Sequence, residues 1–150
     1  MTMSITIPNL REIARRCIAG LPLERSLACW FGTALQGFLD HRYPSIEEAL
    51  GIMSFRGGIP WWRAEANRER DTALRTLADL ECPDSPVAVQ ARHVRMLSVR
   101  YAACAWRRDR GLDEMPAHYH GCARGCLWQA FKSGATMPIG ERQLRNILRR

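Results

Sequence analysis

Two histidines and two cysteines fall close together at His118, His120, Cys122 and Cys126. Imidazole and thiolate are the ligands that tetrahedral Zn²⁺ prefers. Cys122 and Cys126, four residues apart, would share one helical face, with the histidines approaching from the loop before it. The competing reading buries Cys126 beside Leu127 and Ala130 and leaves the histidines exposed. A structural zinc site normally joins two separated ligand pairs, and a site within one short segment ties little of a fold together. Zinc at these four residues is the one cofactor the sequence suggests.

Catalytic patterns do not occur. The chain has no G-x-x-x-x-G-K-[ST], G-x-G-x-x-G, H-E-x-x-H or G-x-S-x-G. Glu47-Glu48 and Asp113-Glu114 are neighbours in sequence, and such pairs point apart on a helix. His41 and His93 can be matched with any of the six cysteines, but no spacing singles out a pair. The expectation is a protein that is not an enzyme.

The last residues offer a different chemistry. Leu144, Ile147 and Leu148 would turn inward on a short helix, leaving Arg142, Gln143, Arg145, Asn146 and Arg149 outward. Arginine binds phosphates, and Gln and Asn can pair with the edge of adenine. Ahead of this helix, Ala130 stands four residues before Gly134, the spacing that lets two helices approach across a turn. Leu127–Arg150 therefore resembles a helix-turn-helix, with a longer turn containing Met137-Pro138. The resemblance implies a last helix that lies on DNA. The plainer reading is an amphipathic helix that closes a bundle and carries arginine to suit its dipole.

Charge points the same way without locating a site. The 150 residues carry 22 basic and 15 acidic side chains, a net +7, and Lys132 is the only lysine. The planar guanidinium suits a phosphate-bearing partner, although a coding bias that replaces Lys by Arg would give the same count. Arg107 and Arg108, near the end of a long basic helix, could add a second phosphate-contacting edge. A second candidate surface is Trp61, Trp62 and Arg63 at a helix start, where paired tryptophans can stack on bases or anchor another protein. Its plainer reading packs Trp62 into the core and lays Trp61 over an edge.

These residues need helices to hold them. Asn9 and Glu12 have capping-box spacing, and Leu10, Ile13, Ala14, Cys17 and Ile18 follow at helical intervals up to Gly20. Ile5 to Ile7 could form an extended arm. A second helix from Pro22 carries the richest apolar stripe, including Leu23, Leu27, Trp30, Phe31 and Phe38. Ser45 and Glu48 repeat the capping box, and Gly57-Gly58 marks a turn. Trp61 to about Glu81 forms the next helix. With Ser85 as N-cap and Pro86 in its first turn, the longest helix runs to about Arg110. Another helix spans about Cys122 to Ser133. Cys17, Cys29 and Cys104 lie among apolar residues and read as small buried hydrophobes.

The sequence thus predicts an all-α single domain, residues 1–150, of six or seven helices: a hairpin at 9–40, a long-helix pair at 60–110 and a C-terminal pair at 122–149. A chain of this size buries about 70% of its unfolded surface and folds without metal or disulfide. The N-terminus lacks the long apolar core of a secretory signal, and no membrane span is evident, so a cytoplasmic location is expected. The leading expectation is a small basic DNA-binding protein of a regulatory kind. The alternative is a protein–protein adaptor or inhibitor module that uses the tryptophan corner.

Overall fold

A computed structural model describes residues 3–53 and 58–149, with side chains from Ile7 onward. The described residues are all-helical, in eight α-helices and one 3-10 turn. None of these helices is long and apolar enough to cross a membrane. The chain gathers into two compact units, residues 1–61 and 62–150.

The first unit holds α1 (Met3–Ile18), α2 (Arg25–Leu39) and α3 (Ile46–Ala49). α1 begins six residues before the expected cap and runs through Pro8, losing one backbone hydrogen bond there. Ile5 to Ile7 are therefore helical, not extended. Asn9 is mid-helix, and Glu12 binds Arg15 and Arg16 on its own helix at 2.7 and 2.6 Å. Those two partners hold the Glu12 carboxyl down at about 2. At the end of α1 the Leu21 amide bonds the Arg16 carbonyl and the Gly20 amide bonds that of Cys17, with Gly20 left-handed at φ +65°. This is a Schellman ending, which glycine permits.

Ile7, Ala34, Leu50 and Ile52 form the buried cluster of this unit, with Trp30, Phe31 and Trp61 packed against it. The richest apolar stripe thus makes a small core: of its members only Ala34 is fully buried. Cys17 and Cys29 are exposed, and so is Cys104 in the second unit. All three lie outside the arc that each helix turns inward, which corrects their reading as buried hydrophobes. Ser45 accepts a hydrogen bond from the Glu48 amide at 3.2 Å, as the capping spacing expects. Gly57 of the expected glycine turn lies outside the described residues.

The second unit carries the larger core. α4 (Trp61–Glu81) starts at the junction, and α5 (Val87–Ala103) follows after a short linker. Ala73, Leu74, Leu77 and Ala78 of α4 pack with Ala91, Val94 and Tyr101 of α5. Pro86, not Ser85, occupies the cap position of α5. The expected continuous helix to Arg110 does not form. It breaks at Cys104 (φ −108°, ψ −74°), and a single turn, α6 (Trp106–Asp109), follows.

That turn carries Asp109 into the interior, where it is 0% exposed. The Tyr101 and Tyr119 hydroxyls donate to its Oδ2 at 2.9 and 3.0 Å, and Arg124 Nη2 does so at 3.4 Å. Burial works against the charge of Asp109, but the hydrogen bonds from Tyr101, Tyr119 and Arg108 hold its carboxyl below its ordinary value. Tyr119 belongs to the 3-10 turn Ala117–Tyr119. α7 (Ala123–Lys132) then passes so close to this turn that a Cβ on Gly125 would stand 2.1 Å from the Tyr119 carbonyl oxygen. The chain ends in α8 (Glu141–Leu148).

Candidate nucleic-acid interface

α8 is amphipathic as its spacing predicts. Leu144 and Leu148 are buried in the larger core and Ile147 packs against it. Arg142, Gln143, Asn146 and Arg149 are exposed, and Arg145 is half-buried. The helix packs principally along α5. Ala130, four residues before Gly134, is fully buried. Gly134 itself is left-handed, at φ +78°, and a Cβ there would meet nothing within 4 Å. Gly134 is therefore the turn glycine of the expected pair, and Ala130 is its buried small residue.

Three arginines seat α8 and the segment leading into it. Arg70 Nη1 donates to the Thr136 carbonyl at 2.6 Å, Arg95 Nε to that of Ile139 at 3.1 Å, and Arg75 Nε to that of Ile147 at 2.8 Å. Arg70 also binds Asp71 Oδ1 through Nε and Nη2. Gln143 Oε1 accepts from the Ile139 amide at 3.2 Å and closes the turn before the helix. Sequence reading singled out none of Arg70, Arg75 and Arg95 as site residues. Backbone carbonyls are their partners, and no side-chain pattern announces such an acceptor.

The outer arginines are different. Arg142, Arg145, Arg149 and Asn146 line one cleft of about 270 Å³, and no carboxylate belongs to it. Among the described residues none of these three guanidinium groups has an ion pair or hydrogen bond. Three uncompensated guanidinium groups around one cleft make a site for an anion with several acceptor oxygens. The helix dipole accounts for Arg145 and Arg149 near the C-terminal end. It disfavours Arg142 in the first turn. The wider charge agrees, because 16 of the basic and ten of the acidic residues lie in 62–150, leaving that unit six of the seven net positive charges.

Other expected site residues are placed elsewhere. Arg107 and Arg108 are exposed on α6, where Arg108 Nε binds Asp109 Oδ1 at 3.3 Å, and neither lines the α8 cleft. Trp61 packs against the first unit's cluster, while Trp62 is 61% exposed, the reverse of the expected packing. Arg63 is exposed beside it. The four zinc-ligand candidates are not brought together. Among the described residues no three His, Cys, Asp or Glu side chains are grouped to hold a metal. Cys122 donates to the Tyr119 carbonyl at 3.2 Å, and His118 stands edge-on to the Tyr119 ring. Cys126 is buried, and burial with the neighbouring Cys122 pushes its thiol up. The helix direction that turns Cys126 inward takes it away from the exposed His118 and His120.

No protein-family model, curated protein or solved structure matches this chain.

Proposed function

We propose that this chain binds nucleic acid, with duplex DNA as partner, through the outward face of α8. The observation that carries the reading is the cleft of Arg142, Arg145 and Arg149, uncompensated by any lining carboxylate. Arg142 stands where the helix dipole disfavours a cation, so an interaction outside the helix accounts for it better than capping does. Asn146 lies within the same cleft and can read a base edge once phosphates have set the register. Gln143 has its carbonyl oxygen engaged at Ile139, so base reading falls first to Asn146.

The test is a titration of duplex DNA at two salt concentrations with wild type and the Arg145→Ala/Arg149→Ala variant. The variant weakens binding to all sequences and flattens the salt dependence by roughly one unit per lost phosphate contact. Point variants are preferable to cutting the chain after Gly134, which would also remove Leu144 and Leu148 from the core. Equal affinity of wild type and variant ends this reading. It would return the exposed Trp62 and Arg63 to the adaptor alternative, which the exposure of Trp62 favours.

A further inference from the structure

The arginine cleft adjoins others in the second unit. It shares Asn146 with a second cleft of about 410 Å³, which passes Gln143, Ile139 and Thr136 above Arg70. That one shares Thr136 with a third of about 440 Å³, between the start of α4 and residues 134–136. Trp62, Arg63 and Asn67 form the α4 wall of the third cleft. Asn146 lines the first and second clefts and Thr136 the second and third, so the three lie side by side within the second unit. The lining changes from guanidinium groups to a largely apolar stretch of Met137, Pro138, Ile139 and Ile147 edged by Gln143 and Asn146, and finally to an exposed indole with Arg63 beside it. Arg70 is held by Asp71 and the Thr136 carbonyl, so it forms part of the floor and is not a free cation.

A duplex can lay its phosphates against the arginine cleft, but its bases are stacked on one another and offer no face to Trp62, whereas an unpaired strand with splayed bases does. Positive charge tracks a backbone, and an indole face offers stacking to any base. We infer that a strand leaving the α8-bound duplex enters these clefts unpaired and stacks a base on Trp62. The substrate class is then a junction between duplex and single strand. This inference rests on the nucleic-acid reading of α8, and it gives Trp62 a nucleic-acid role in place of a protein-anchoring one.

The experiment compares a blunt hairpin duplex with the same hairpin carrying a single-stranded tail of about ten nucleotides at either end. A 2-aminopurine in the tail reports stacking. Wild type binds the better-tailed hairpin about tenfold more tightly than the blunt one and quenches the 2-aminopurine. Trp62→Ala removes both effects and leaves affinity for the blunt hairpin unchanged, while Trp62→Phe retains most of the preference. Arg145→Ala/Arg149→Ala weakens tailed and blunt forms in equal proportion. Equal binding of tailed and blunt hairpins by wild type overturns this inference while leaving the duplex reading standing, and so does a tail preference that survives in Trp62→Ala. Failure of wild type to bind either form overturns both.

Discussion

Arg75 Nε on α4 donates to the Ile147 carbonyl at 2.8 Å, joining residues 72 apart at the last turn of α8. The acceptor is one of the four carbonyls that a helix end leaves without an internal partner. The bond therefore caps α8 and docks it to α4 at once. Arg75→Ala should cost about 1–3 kcal/mol, the range for a charged donor leaving an acceptor unmet. Urea unfolding measures the loss. Hydrogen exchange should show α8 amides losing protection before those of α4 and α5. Uniform loss across all three helices would mean that Arg75 does not hold α8 in particular.

Asp109 makes stability depend on pH at both ends. Its folded carboxyl lies below the ordinary 3.8, so its contribution is complete above that pH and disappears as pH falls through the lowered value. Tyr101 is pushed up from 10.0, by burial first and then by Asp109. Its contribution is complete below pH 10.0 and is lost as pH rises further. Melting temperature measured against pH should fall at both extremes. Asp109→Asn flattens the acid limb and Tyr101→Phe the alkaline one. Asp109→Ala costs about 1–3 kcal/mol for each buried tyrosine hydroxyl that it leaves without an acceptor.

Two glycines separate space from backbone angle. Gly125→Ala puts a methyl against the Tyr119 carbonyl and must displace backbone, at a cost of about 1–3 kcal/mol or more. Gly134→Ala meets open space, and its cost is the strain of φ +78°, about 1–2 kcal/mol. Only the first should also shift the near-ultraviolet signal of Tyr119. Both follow from thermal melts with circular dichroism. An unperturbed melt for Gly125→Ala would mean that α7 does not approach Tyr119 so closely.

Thiol reactivity tests the placement of the cysteines. Cys17, Cys29 and Cys104 should react rapidly with a disulfide reagent, and Cys126 only upon unfolding. Chelator should leave the melting temperature unchanged, because the four candidate ligands are not assembled. One equivalent of tightly held zinc in purified protein would contradict this arrangement.

Much of the helical pattern was readable because it is local. The limits of α4, the burial of Leu144 and Leu148 and the outward set at Arg142, Gln143 and Asn146 follow from a period of 3.6 residues. The start of α1 was not readable, because Asn9 and Glu12 have capping spacing yet lie inside the helix. Asp109 was hidden among Arg107, Arg108 and Arg110, where it reads as surface charge. Its hydroxyl donors, Tyr101 and Tyr119, stand eight and ten residues away, and only the break at Cys104 brings them together. The seat of α8 was hidden for another reason. Every residue has a carbonyl, so an arginine that ends on one has no partner type to betray it.

The division of arginines between seat and cleft gives ionic strength two separable effects. Arg75 and Arg95 end on neutral carbonyls, contacts of short range that dissolved salt barely weakens. Arg142, Arg145 and Arg149 face solvent across a cleft without a counter-charge, where small anions compete directly for them. Raising the salt therefore fills the cleft with mobile counterions while α8 stays docked. Occupancy of the cleft can be adjusted by the medium alone, with no conformational change and no loss of fold.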